Sequence, residues 1–397
     1  NTGIQMTSFY ASNPNIPVIL NPTKQTDQEP LLKADGNQTI NVFDKDFRFA
    51  QTARFNLALD FELAGINWTA EGIYSKTIND IVYSDLSRDL NGKTAGETYT
   101  NMAYDVRPMF DRVTTGTAFS NIYMLSNTSK GYSYNLSIMG TKKFNFGLDL
   151  MASYAYSVSK SLNSGTSSVA KSNFRYNYTY KNANSPELGN SAFNIPHQIK
   201  ASAFYHKEFF KNQKTTFGLI YTGSSGSPYS IYYYGDLNGD GADGNDLMFI
   251  PTDDQIDAMK FTATTKYTAD AQKANMKQWI ANDPYLSKHR GEYYERYQDN
   301  EEFEHHFDFH FSHEVKFKVG ERFNALELTF DILNVGNLLN KDWGHYGSNG
   351  GGSVYYSPVT YKGSGNFQFL NPGDYQMRSY SDYYSRWRGQ IGLTYTF

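Results

Sequence analysis

The feature that most constrains this chain is strict two-residue alternation, repeated in segment after segment. In 51–63 the odd positions are Ala53, Phe55, Leu57, Leu59, Phe61 and Leu63. The even ones are Thr52, Arg54, Asn56, Ala58, Asp60 and Glu62. A strand places successive side chains on opposite faces, so such a run has one apolar and one polar face. Ala64-Gly65 then leads to Ile66, Trp68, Ala70, Gly72 and Tyr74, at hairpin spacing. The pattern returns at 132–140, 146–158, 199–205, 217–221, 307–319, 326–332 and 387–397. Short turns are expected at Lys142-Lys143, Lys211-Asn212 and Gly320-Glu321. The sum is nine strands: four hairpins and one terminal strand.

The connections between hairpins are long, at 84–118, 161–194, 223–302 and 337–384. Short turns on one edge and long loops on the other match an outer-membrane barrel, with periplasmic turns and extracellular loops. Composition agrees. The chain has 33 Tyr, 28 Phe and 4 Trp among 397 residues, yet its mean hydropathy is −0.60. No run approaches the roughly 18 apolar residues of a membrane-spanning helix. Aromatics near strand ends (Trp68, Tyr74, Tyr132, Tyr154, Tyr156, Tyr221 and Trp387) suit an interfacial girdle. Charges recur on the opposite face at Arg54, Asp60, Glu71, Asp149, Lys200, Glu314 and Lys316, as a wet lumen permits. The competing architecture is a soluble β-sandwich or solenoid, whose apolar face would be a core. A formal net charge of −4 argues against a nucleic-acid partner. With no Cys, neither disulfides nor Cys metal sites arise.

The ending Gly389-Gln390-Ile391-Gly392-Leu393-Thr394-Tyr395-Thr396-Phe397 resembles the terminal strand read by the barrel-assembly machinery, with Leu393, Tyr395 and Phe397 as the signal. Upstream, Phe330-Asp331-Ile332-Leu333-Asn334-Val335-Gly336-Asn337-Leu338-Leu339-Asn340-Lys341 resembles the penultimate-strand motif of TonB-dependent transporters. Two segments resemble the Oar-like subgroup of those receptors in Bacteroidetes and some Proteobacteria. One is Gly235-Asp236-Leu237-Asn238-Gly239-Asp240-Gly241 with Gly244-Asn245-Asp246-Leu247; the other is Asp283-Pro284-Tyr285-Leu286-Ser287-Lys288-His289-Arg290-Gly291 followed by Glu295-Arg296. The resemblance runs from about residue 50 to the end.

It implies an all-β fold: an antiparallel transmembrane β-barrel, of which this chain carries about nine C-terminal strands out of 22, with long extracellular loops and one short loop helix. Residues 1–49 are expected to form an extracellular loop region, and 50–397 the C-terminal barrel portion. The sequence has no plug and no TonB-contacting segment, so it is expected to be a piece of a longer transporter. The implied function is capture of an extracellular ligand and its import with TonB-coupled energy. The alternative is a non-transporting surface, adhesion or secretion-associated barrel. Implied partners are the outer-membrane bilayer, the barrel-assembly machinery, TonB through a plug domain, and a surface lipoprotein. Arg386 and Arg388 are expected to face the lumen.

Asp236, Asn238 and Asp240, followed by Gly241, match the start of an EF-hand-like loop, with oxygen side chains at positions 1, 3 and 5 and Gly at 6. Position 12 is Leu247, so Asp246 at position 11 is the candidate late carboxylate and Ca²⁺ the candidate ion. The competing reading is ordinary Asx turns. Loop tyrosines offer an apolar plane with a polar tip and are candidate ligand contacts: Tyr178, Tyr180, Tyr233, Tyr234, Tyr355, Tyr356, Tyr383 and Tyr384. Residues 269–283 read as a helix capped by Thr268 and stopped by Pro284. His306 and His310 share a strand face but lie roughly 13 Å apart, too far to share one metal. No nucleophile elbow, P-loop or HExxH is present, and no enzyme is expected.

Overall fold

The structure is a computed structural model and describes all residues except 1–8, 11–32, 35–37, 114–118, 349–355 and 375–378. The long strands are β1 Gln38–Phe43, β2 Gln51–Leu63, β3 Ile66–Asp85, β4 Phe119–Thr128, β5 Tyr132–Lys143, β6 Leu148–Ser161, β7 His197–Phe210, β8 Gln213–Ser224, β9 Glu304–Val319, β10 Arg322–Leu333 and β11 Arg388–Thr396. All nine expected strands are present and pair in sequence order from β5 to β11. β3 pairs with β2 on one side and with β5 and β4 on the other. Expected turns fall at Ala64-Gly65 and Lys211-Asn212, where Ala64, Gly65 and Asn212 have the positive φ that tight hairpins require. One turn is displaced: β5 runs through Lys143, and the chain reverses at 144–147 rather than at Lys142-Lys143.

The register carries the alternation across the sheet. One perpendicular row contains Phe61, Trp68, Gly140, Ala152, Ala201, Tyr221 and Phe307. Gly140 is small for a reason, because a Cβ there would meet the Trp68 ring at 2.9 Å. The row on the other face contains Asp60, Thr69, Met139, Ser153, Lys200, Thr222 and His306. In the apolar row, Phe61 sits two residues from the turn end of β2 and Phe307 three residues from the loop end of β9. Rows therefore climb along successive strands, which is the stagger that strand tilt produces in a barrel.

The apolar face is bare. Leu57 is 80% exposed, and Phe55, Leu59, Leu63, Ile391 and Leu393 are exposed with it. A soluble sandwich would cover this face, and among the described residues no second sheet does so. The sheet is also open: β2 and β11 each have one neighbour among the described residues. The large sheet is thus mainly antiparallel, apolar on one face and, among the described residues, open at β2 and β11.

Two features differ from expectation. Residues 38–43, taken as loop, form β1, which pairs in parallel with β4. β4, Phe119–Thr128, falls between the end of the first expected connection at 118 and the strand expected from Tyr132, where no strand was expected. The long connections are folded. The 223–302 and 337–384 segments share one buried core that includes Ile231, Leu237, Met248, Ile256, Met276, Ile280, Phe367 and Phe369. The expected helix is α1, Ala269–Asn282, with the Thr268 hydroxyl accepting from the Ala271 N–H at 3.2 Å. We refer to this assembly as the cap.

A charge introduced on the bare face should be costly where the same charge one residue along is not. In the membrane-inserted protein, Leu57→Arg should cost about 2–4 kcal/mol. Asn56→Arg, on the polar face, should cost well under half of that. Denaturant unfolding from lipid vesicles reads both, and equal costs would overturn the assignment of faces.

Candidate functional site

The chemistry-bearing residues gather in the cap. Residues 236–246 turn tightly because Gly239 and Gly241 have φ of +80° and +88°. Gly239 is also required by proximity, since a Cβ would sit 2.6 Å from the Phe110 carbonyl oxygen. Side-chain oxygens cap the loop's own amides. Asp236 Oδ2 accepts from the Gly241 N–H at 3.0 Å, Asn238 Oδ1 from the Asp240 N–H at 3.0 Å, and Asp240 Oδ1 from the Ala242 N–H at 2.8 Å. The Asn245 amide nitrogen donates to Asp240 Oδ2 at 2.7 Å. The expected Asx turns are therefore formed.

Asp246 has a different role. Its Oδ2 accepts from the Leu237 N–H at 3.0 Å, and its Oδ1 from Arg107 Nη1 at 2.9 Å. Arg107 is 0% exposed. Its Nε donates to Asp105 at 3.0 Å and its Nη2 to the Leu247 carbonyl at 2.8 Å. The guanidinium lies over the rings of Tyr233 and Tyr293, 5.1 and 5.6 Å from their centroids. Burial works against this charge, but Asp105 and Asp246 outweigh it and hold Arg107 above its ordinary value. Burial pushes the Asp246 carboxyl up to about 6, with Arg107 opposing. Burial raises Asp240 as well, assisted by Asp246 and Asp236. Sequence reasoning passed over Arg107. The one signal was a lone Arg among Val106, Pro108, Met109 and Phe110.

Beside this loop lies an aromatic cleft of about 580 Å³. Tyr178, Tyr234 and Tyr356, all expected contacts, line it together with Tyr176, Tyr229, Tyr232 and Tyr297. Tyr178 packs on Tyr232 at 5.0 Å and edge-on to Tyr297 at 5.5 Å; Tyr229 packs on Tyr356 at 5.1 Å. At one wall Arg175 Nη2 donates to Asp243 Oδ2 at 2.7 Å. Arg296 braces the floor, donating to the Leu162 carbonyl at 2.7 Å and to Asn177 Oδ1 at 2.9 Å. Burial lowers its pKa to about 10. Flat rings with a few polar groups suit a ligand that has both apolar planes and hydroxyls or amides.

The other candidates separate. Tyr233 is 0% exposed within the cap core, so it is a packing residue and not a ligand contact. Tyr180 stacks on Tyr293 at 4.0 Å. Tyr383 and Tyr384 are exposed on the short helix Asp382–Ser385, away from the cleft lining. Tyr355 lies outside the described residues. Arg388 begins β11 in the same parity as Gln390, which pairs with Asp331, and so shares the polar face of the sheet. Its guanidinium lies 4.5 Å from the Tyr383 ring centroid. Arg386 is not on a strand: it follows the short helix, and its Nη2 lies 3.4 Å from Asp382 Oδ2. The histidines disperse, His310 to Asp331 at 2.6 Å and His306 stacked on Tyr346 at 3.6 Å. Leu393, Tyr395 and Phe397 stand exposed along one face of the terminal segment.

A bare apolar wall, a staggered antiparallel register and a folded cap on the long-loop edge are the geometry of a membrane barrel. The family model described as outer membrane beta barrel domain matches residues 1–344. The chain belongs to this family. A comparison with curated proteins found no match. As an outer-membrane barrel domain the chain resides in the bacterial outer membrane, and its bare face meets lipid.

Replacing Arg107 by Met leaves Asp105 and Asp246 buried beside no cation. Losing one partner of a buried pair costs about 3–5 kcal/mol. Limited proteolysis of the folded protein should show faster cleavage within the cap and unchanged protection of the strands. Adding Asp246→Asn should recover part of the loss. Unchanged cap protection in the single variant would refute a structural role for the pair.

Proposed function

We propose that this barrel domain is the C-terminal part of a TonB-dependent transporter. In this reading the cap captures a ligand in its tyrosine cleft, and energy from the inner membrane drives import through a plug carried elsewhere in the full protein. The observation that carries the reading is the open wall of nine long membrane strands with unpaired edges at β2 and β11. Lipid offers no partner for those backbone groups, so further strands must complete the wall. Bacterial single-chain barrels have an even strand number, which nine is not. A large barrel that needs a plug fits this count better than a small independent one. The folded cap, with a cleft of about 580 Å³, supplies a ligand-sized site above the wall. The motifs at 330–341 and 389–397 favour the same reading, and the barrel-assembly machinery is the partner that the terminal segment fits.

In the native cell, photo-cross-linking should trap the full gene product with TonB. Normal surface levels without any such cross-link would favour the non-transporting surface barrel instead. Deleting Phe397, which is 84% exposed at the end of the terminal strand, should lower outer-membrane levels several-fold while leaving transcript unchanged. Unaltered levels would remove the assembly-signal role.

A further inference from the structure

We propose that the 236–246 loop is a Ca²⁺ site that fixes one wall of the tyrosine cleft. The inference rests on the loop itself and holds whether or not the barrel imports anything.

Three observations carry it. First, two oxygens at the loop are buried and unpartnered. Asp236 commits Oδ2 to the Gly241 N–H, while its Oδ1 has no hydrogen-bond partner. Asn245 is 0% exposed, and its amide nitrogen contacts Asp240, yet its Oδ1 also has no partner. A buried acceptor left without a donor costs about 1–3 kcal/mol. Two in one loop point to a missing positive ligand.

Second, charge is unbalanced. Asp240 is fully buried, and among the described residues no ion pair reaches it or Asp236; Arg88 stands at the loop, but its Nη1 donates to the Gly239 carbonyl at 3.3 Å. Arg107 is already shared between Asp105 and Asp246. Third, the spacing matches the donor type. Side-chain oxygens stand at loop positions 1, 3 and 5, glycine at 6, and the Ala242 carbonyl at 7. That order supplies a flexible all-oxygen set, which suits Ca²⁺ more than Mg²⁺ with its demand for a small octahedron. No three His or carboxylate side chains converge among the described residues. The donors are accordingly mixed: carboxylates of Asp236 and Asp240, amide oxygens of Asn238 and Asn245, and a backbone carbonyl.

The consequence reaches the cleft. Asp243 and Gly244 of this loop line it, and Asp243 is tied to Arg175. The same loop bridges to the Tyr178 strip, where the Thr179 N–H donates to the Asn245 carbonyl at 2.8 Å and the Leu247 N–H to the Thr179 carbonyl at 3.1 Å. An ion that holds residues 236–245 thereby holds the ring planes of the cleft in register.

The test uses the full 397-residue chain, folded, stripped with a chelator and titrated with Ca²⁺. Calorimetry should give one site, with an affinity of about 0.1–1 mM as in extracellular modules. Saturation should slow proteolysis at 236–246 several-fold. Asp240→Asn and Asp236→Asn should each weaken binding at least tenfold; because both remove a buried charge, their ion-free cap should be no more protease-sensitive than wild type. Asp253→Asn, a surface carboxylate paired with Arg290, should bind normally. Mg²⁺ at the same concentration should not protect. Absence of binding up to 10-fold above that range, as an order of magnitude, would overturn the site. So would an Asp240→Asn variant with undiminished affinity, or equal protection by Mg²⁺.

Discussion

Backbone pairing in lipid is the constraint on which the rest of this structure depends. Within the hydrocarbon layer an N–H or C=O has no water to turn to, so each must find a partner in another strand. That requirement explains why the long strands pair continuously from β5 to β11, with short turns inside each hairpin and the long connections kept to the other edge. It also explains why alternation is so strict. The apolar face meets lipid at every odd position of β2, while the other face is free to carry Asp60, Lys200 and His306. Among the described residues the requirement is unmet at the outer edges of β2 and β11.

Outside the lipid the rules change, and the cap is built by different physics. It has a conventional apolar core around Met248, Ile280 and Phe367, a capped helix, and a fully buried ion cluster at Arg107. The cluster joins three remote stretches: Asp105 and Arg107, the loop from 236 to the Leu247 carbonyl, and Tyr293, whose hydroxyl donates to Asp105 at 2.6 Å. Buried pairs of this kind do not by themselves guarantee stability. Here the geometry suggests that their role is to fix which loop packs on which, and so to set the cleft beside them.

This division decides what was legible in the sequence. The nine membrane strands could be read because one face meets lipid and the other does not. β4 could not. Tyr123 and Leu125 on one parity are buried, and Ile122 and Met124 on the other are partly covered, so apolar residues occur at both parities and no period remains. The tyrosine triplet 232–234 misled for the opposite reason. It looked uniform, but the two-residue strand Tyr233–Tyr234 sends Tyr233 into the core and leaves Tyr234 on the cleft. The Asp-Asn-Asp loop was legible as a motif because its spacing is local. Arg107 was not, since its partner Asp246 is 139 residues away.

β3 shows both regimes in one element. It has 20 residues, whereas a tilted strand of about 9–11 spans the hydrocarbon. Its first part pairs with β2 and β5, and the side chains follow the alternation. From Asp80 to Asp85 it pairs with β4 instead, and there Val82, Ser84 and Asp85 are all buried regardless of parity. The Asp85 carboxylate accepts from the Ser87 N–H at 2.9 Å and from Asn121 Nδ2 at 2.7 Å. Its backbone N–H donates to Asn184 Oδ1 at 2.7 Å. A buried carboxylate so held has no place in a lipid-facing wall. The end of alternation along β3 therefore marks where the bilayer stops and the cap begins. The strand that crosses the membrane also carries the support on which the cap is assembled.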